Sequence, residues 1–120
     1  MSSLLVHLSS GPEHPTRAAL AFLVTCAAVE EAHEVSLFLA GDAVQLLRPE
    51  VRSSLVGLGT GPLGESVDAV VGGGAKLYAS GQSSRARGLD DAVLFAAGAT
   101  PSPPSKLVEL TFEHDRVLCY

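Results

Sequence analysis

Five short, mostly apolar runs, separated by longer segments with helical character, constrain the fold of this chain most. The runs are Leu4–Leu8, Val35–Ala40, Ala75–Ser80, Ala92–Ala96 and Arg116–Tyr120. They lack the strict apolar–polar alternation of a strand with one solvated face, which is typical of strands covered on both faces. The alternation of strands with helices predicts an α/β fold, a three-layer α/β/α sandwich around a mainly parallel five-stranded sheet. A length of 120 residues without a repeat or linker predicts one domain, 1–120.

The ends of the intervening helices are marked by proline, glycine and aspartate. Since proline suits a first helical turn, we expect a helix from Pro15 or Thr16 to about His33. Asp42 is a candidate N-cap for a helix over 43–47. Further helical segments are expected at 49–58, 66–71, 81–88 and 101–110, with a glycine-rich loop at 57–64.

The first helix lacks a polar face along most of its length. Between Ala18 and Val29 only Thr25 is polar, whereas a surface helix normally keeps a solvated stripe. Two apolar stripes run along this helix, one of Leu20, Leu23, Val24 and Ala27 and one of Phe22, Cys26 and Val29. We expect one stripe to cover the sheet and the other to pack on another subunit. The low charged fraction, 18%, points the same way, because so small a monomer normally needs more polar surface.

Charge and cysteine content exclude several classes of protein. A net charge of −5 with only two lysines, Lys76 and Lys106, leaves no phosphate-backbone footprint, so nucleic acid is not an expected partner. No apolar stretch reaches the ~20 residues of a membrane span, and the amino terminus lacks a basic signal-peptide region. We therefore expect a cytoplasmic location and no membrane partner. Cys26 and Cys119 do not form a disulfide framework.

The carboxyl ends of the predicted strands are the candidate functional site. Ligands of parallel α/β sheets collect at this edge, and small residues at 9–11, 41–42, 80–82 and 97–98 predict a concavity suited to an anion or a polar small molecule. The expected ligand-binding residues, which we call the rim, are Ser10, Gly11, His14, Asp42, Ser80, Gly81, Gln82, Ser83 and Arg85. Ser84 could add a donor. The alternative is that these residues are ordinary caps and turns.

Three segments carry a resemblance to a known family. Gly11–Arg17, Leu37–Asp42 and Ala75–Gly88 together resemble the DsrE/DsrF-like family of small sulfur-relay proteins over nearly the whole chain. The resemblance implies a layered α/β/α subunit, trimers or hexamers, and sulfur carried as a persulfide on a cysteine. Ser80 stands where catalytic members carry that cysteine, and a hydroxyl has no accessible anion near neutral pH.

Two functions follow from this resemblance. The first is a non-catalytic, oligomeric protein that binds a small ligand or a sulfur-handling partner at the rim, with no catalytic residue. The second is a sulfurtransferase or persulfide carrier that uses Cys119 or a partner's thiol. Cys26, predicted to lie within a helix, is the weaker candidate because burial raises the pKa of a thiol and reduces its reactivity.

Other motifs do not indicate a cofactor or a metal. The stretch 59–64 matches Gly-x-Gly-x-x-Gly, but it does not follow a predicted strand and Pro62 stiffens it. No phosphate-binding P-loop sequence occurs. The histidines show no metal-ligand spacing with cysteine or carboxylate, so neither a metal nor a cofactor is expected.

Overall fold

The computed structural model describes residues 1–120 and contains seven strands, six α-helices and one 3-10 helix. The strands are β1 (Ser3–Leu8), β2 (Glu34–Leu39), β3 (Val56–Gly57), β4 (Gly61–Pro62), β5 (Lys76–Ser80), β6 (Ala99–Ser102) and β7 (Arg116–Cys119). The α-helices are α1 (Pro15–Glu30), α2 (Pro49–Ser54), α3 (Leu63–Gly72), α4 (Gly81–Ala86), α5 (Asp91–Ala96) and α6 (Pro104–Glu113). The 3-10 helix spans Gly41–Leu47. None of the helices combines the length and apolar character needed to cross a membrane.

The main sheet has five strands in the order β6-β5-β2-β1-β7, and every neighbouring pair is parallel. The carboxyl ends of all five strands therefore lie along one edge. Along the chain, β2, β5 and β6 are added in turn on one side of β1, and β7 then pairs with β1 on its other side. The predicted α/β class and the five-stranded parallel sheet are confirmed.

Adjacent residues of β1 point to opposite faces of the sheet and belong to different cores. Val6 and Leu8 join a core of 22 buried residues built with α1, the 3-10 helix, α3 and α5. Leu5, on the other face, packs with Phe38 and with Leu110 of α6. Helices thus cover both faces, which confirms the three-layer architecture, but one layer is much thicker than the other.

The fourth strand of the sheet is not where the sequence predicts it. Residues 92–96 belong to helix α5, and the strand is β6, seven residues further along. The side chain of Asp90 accepts a hydrogen bond from the Val93 amide and caps α5. A short apolar run does not by itself distinguish a strand from a buried helix, and the Asp90 N-cap is the local signal for a helix here. Pro101 is tolerated in β6 because β6 is an edge strand.

Several predicted boundaries also differ. The first helix ends at Glu30 rather than His33, since Ala32 adopts a left-handed backbone with φ of 64°. The second α-helix stops at Ser54, and part of the predicted 57–64 loop forms the small antiparallel β3–β4 hairpin and the start of α3. These changes lie away from the strand ends that carry the candidate site.

Helix α1 divides its apolar residues between the core and the surface. Phe22 is fully buried against the sheet, whereas Leu20 is 42% and Leu23 is 36% exposed. The stripe that contains Leu20 and Leu23 therefore faces away from the core of this chain, whereas the stripe that contains Phe22 covers the sheet.

Candidate functional site

The loops that follow β1 and β2 pack directly on each other at the carboxyl edge. A Cβ on Gly11 would overlap the backbone carbonyl of Asp42, so only glycine permits this approach. The Gly11 amide donates to Oε1 of Glu13 at 2.7 Å, and Ser10 beside it is buried. The fold therefore brings together Ser10, Gly11 and Asp42.

Ser80 ends β5 and begins α4 as its N-cap. Its Oγ accepts a hydrogen bond from the Ser83 amide at 3.1 Å, and its carbonyl accepts one from Ser84 Oγ at 2.7 Å. Ser80 is only 9% exposed. The hydroxyls of Ser80 and Ser84 thus already serve the local turn.

Two contacts join the β2 and β5 ends into one continuous rim. The Gly41 amide donates to Ser83 Oγ at 2.9 Å. Arg87 Nε donates to Oδ1 of Asp42 at 2.9 Å, and Arg87 Nη1 donates to the Ser83 carbonyl at 3.2 Å. The prediction that Asp42 caps the following helix is wrong: the N-cap is Ala40, and the Asp42 carboxylate pairs with the guanidinium of Arg87 instead.

A cavity of about 330 Å³ opens at the ends of β5 and β6, and we call it the polar cavity after its three polar side chains, those of Gln82, Arg85 and Ser102. Three of its lining residues were predicted: Gly81, Gln82 and Arg85. The others, the segment 101–104, were not predicted, because the fourth strand was placed too early. Its predicted end at 97–98 is wrong, and Ser102-Pro103 holds that position instead. The cluster of prolines after a glycine was the signal that could have marked this strand end.

The remaining predicted residues lie outside this cavity. Ser10, Gly11, Asp42, Ser80 and Ser83 hold the neighbouring loops, as described above. His14 is exposed at the start of α1, and its side chain makes no capping hydrogen bond. The rim thus consists of a structural part, on the β1 and β2 side, and a cavity-lining part, on the β5 and β6 side.

A larger cavity, of about 600 Å³, lies elsewhere. It is formed by α2, α3 and α5, is mostly apolar, and is bordered by the Arg52–Asp68 ion pair. The polar cavity is the better candidate for a ligand site despite its smaller size, because ligands of parallel α/β proteins bind at the carboxyl ends of the strands.

The two cysteines differ in their surroundings. Cys26 is half-buried on α1 with its Sγ 3.6 Å from Oε1 of Glu30; burial, together with the negative charge of Glu30, raises the pKa of its thiol. Cys119 is exposed on the edge strand β7, in register with His7 of β1. Neither thiol lines the polar cavity. No three His, Cys, Asp or Glu side chains converge as metal ligands would.

These features define the class of protein: a parallel α/β domain with a polar cavity at the carboxyl ends of its strands. The model of the DsrE/DsrF-like family matches residues 2–120, and the chain belongs to this family, which is associated with sulfur relay. A comparison with curated proteins gave no match.

Two solved structures share the fold. The ychN protein from E. coli has a TM-score of 0.80 at 17% identity, with 100% of both chains covered. A conserved protein of unknown function from Bacteroides thetaiotaomicron, BT1422, has a TM-score of 0.76 at 11% identity, covering 99% of this chain and 95% of that one. At these identities the likeness concerns the fold alone.

Proposed function

We propose that this chain is a non-catalytic, oligomeric member of the family that binds a small ligand or a sulfur-handling partner at the rim. The observation that carries the proposal is Ser80, a hydroxyl at the end of β5 where the resemblance to catalytic members expects a thiol. Its Oγ is committed to capping α4, a role that a serine fills well. Sulfur transfer needs a thiolate as the attacking group, and none lines the cavity.

Side-chain donors that have no acceptor within the protein support ligand binding at the rim. Gln82 and Arg85 are the predicted rim side chains that line the cavity and donate to no other protein group. Oligomer formation draws support from the exposed stripe on α1, because contiguous apolar surface on a small domain marks an interaction site. A trimer or hexamer, and a cytoplasmic location, stay predictions.

The second candidate function is a persulfide carrier that uses Cys119. One observation favours it: the thiol is exposed on an edge strand, so a donor protein could reach it. In such a carrier the thiolate attacks a sulfur of a polysulfide, a new S–S bond forms, and a shorter polysulfide anion leaves.

Mass spectrometry after incubation with inorganic polysulfide separates the two functions. We expect the native chain to form persulfide no faster than a small free thiol does, because Cys119 is exposed on an edge strand rather than placed at the start of a helix. A Ser80→Cys variant, made together with Cys26→Ser and Cys119→Ser, should form it faster, because a thiol at the start of a helix has a lowered pKa.

The matched control is Ser54→Cys in the same background. It places an exposed thiol at the last residue of α2, away from the start of a helix, and should stay at the rate of the free thiol. Fast persulfide formation on Cys119 of the native chain would replace the first function with the second. A Ser80→Cys variant no faster than this control would contradict the assignment of residue 80 to the cysteine position.

A further inference from the structure

We propose that the polar cavity binds a small oxyanion, with Arg85 as its main ligand and Gln82 as a second donor. This inference rests on the proposed function, because it names the ligand class of the same strand-end site.

The chemistry of the cavity wall favours an anion. Seven residues line the cavity: three are prolines, one is a glycine, three have polar side chains, and Arg85 is the only one with a charge. No carboxylate lines the space, although the whole chain carries a net charge of −5. A cation that faces a polar cavity without an acidic partner leaves its charge for a ligand to neutralise.

Arg85 differs from most other arginines of this protein. Arg48, Arg52, Arg87 and Arg116 each donate to an oxygen atom of the protein. Arg85 makes neither an ion pair nor a hydrogen bond of this kind, and its side chain is exposed. Its planar guanidinium therefore keeps its donors free, in the fork geometry that binds carboxylate and phosphate through two parallel hydrogen bonds.

The guanidinium of Arg85 lies close to a glycine. A Cβ added to Gly81 would lie 3.1 Å from Nη1 of Arg85, tighter than ordinary contact. The exposed guanidinium thus lies close to the first residue of α4. Gly81 lets it approach the backbone at the wall of the cavity.

The opposite wall is rigid and borders the positive end of a helix. Pro101, Pro103 and Pro104 have fixed φ angles, so little ordering of this wall is needed when a ligand binds. Pro103 is the N-cap of α6, a helix of ten residues, and the partial positive charge at its start adds to that of Arg85.

The size of the cavity limits the ligand. A volume of about 330 Å³ lies at the lower end of the range for small-molecule sites. It accommodates a tetrahedral oxyanion, either free or as the terminal group of a compact metabolite.

Titrations followed by amide NMR shifts test this inference. The probes are sodium phosphate, sodium sulfate and glycerol 3-phosphate, at an ionic strength held constant with sodium chloride. We expect saturable shifts at Gly81, Gln82 and Ser102. Tighter binding of the phosphomonoester would identify a metabolite group, and tighter binding of an inorganic ion would identify a free oxyanion.

Variants at position 85 separate specific binding from general charge. Arg85→Gln should weaken binding about tenfold or more, because it removes a charge-assisted pair of hydrogen bonds. Arg85→Lys should retain part of the affinity. Arg116→Gln, at the amino end of β7 and so at the opposite edge of the sheet, removes the same charge and should leave binding unchanged.

Two results would overturn the inference: no saturable shift in the native chain, or equal affinity in the native and Arg85→Gln proteins. Both outcomes are independent of the polysulfide experiment. Persulfide on Cys119 would contradict the non-catalytic function and leave an Arg85-dependent oxyanion site standing. Absence of oxyanion binding would contradict this inference alone. A neutral ligand or a protein partner at the rim would still agree with the proposed function.

Discussion

Ser80 and Ser83 use their hydroxyl groups to hold the strand-end loops together. Ser80 Oγ accepts from the Ser83 amide, and Ser83 Oγ accepts from the Gly41 amide. Both hydroxyl oxygens act as acceptors that position the backbone, and neither side chain lines the polar cavity. At the scale of single residues, the available chemistry of the site therefore belongs to Gln82 and Arg85.

His7 is the residue whose burial has the clearest consequence for stability. Its ring meets Phe38 edge-on, and its Nε2 is buried without a hydrogen-bond partner. Burial lowers the pKa of His7, because the charged imidazolium loses hydration that no protein group replaces.

We predict that the free energy of unfolding falls as the pH drops below about 6.5, the ordinary pKa of histidine. The unfolded chain then binds a proton at His7 that the folded chain resists, so the His7 contribution is complete above this pH and is lost below it. Urea unfolding at pH 7.5 and pH 5.0 measures the effect, and His7→Leu should reduce the difference. His14→Leu, at an exposed position, is the control; an undiminished difference in His7→Leu would refute the assignment.

Helix α5 shows how a single cap selects between two kinds of element. Residues 92–96 have the apolar composition of a strand, and Phe95, 61% exposed, contributes little to the core. Leu94 is fully buried, and the Asp90 carboxylate satisfies the Val93 amide at 3.0 Å. The helix is thus fixed by its first turn and one buried side chain.

We predict that Asp90→Ala destabilises the protein by about 1 kcal/mol, the usual cost of losing an aspartate N-cap. The midpoint of urea unfolding measures this loss. Asp91→Ala removes a carboxylate one residue later, where only the helix dipole is affected, and should cost a few tenths of a kcal/mol. Equal effects of the two substitutions would show that Asp90 does not act as the cap.

The whole molecule has an uneven distribution of apolar surface. One face of the sheet packs into a core of 22 buried residues, and the other into a cluster of three, Leu5 of β1, Phe38 of β2 and Leu110 of α6. The exposed leucines of α1 lie on the outer surface of the thick layer. An assembly of several copies would bury this stripe, which is the physical reason for the proposed oligomer.

We predict that native mass spectrometry detects an oligomer, and that Leu20→Glu or Leu23→Glu shifts it toward the monomer. A charge placed in an apolar interface loses hydration without gaining a partner. Ser53→Glu adds the same charge on α2 and should leave the assembly intact. A monomeric native chain would remove this explanation of the α1 stripe.

Much of the fold could be predicted because each element depends on local patterns. The run Leu4–Leu8 is apolar on both faces, which requires a covered strand, and Pro15 opens α1 where its missing amide costs nothing. The strand β6 could not be located in this way. Its sequence, Ala-Thr-Pro-Ser, has no strand pattern of its own and pairs only because β5 offers an open edge.

The sequence by itself determined the α/β class and the parallel sheet, because periodicity and turn residues act over a few neighbours in the chain. The tertiary structure alone decided which rim side chains remain free. Asp42 pairs with Arg87 across 45 positions, and Gln82 and Arg85 meet the proline segment only through the pairing of β5 with β6. Such contacts depend on distances in space, which residue types and their spacing do not encode.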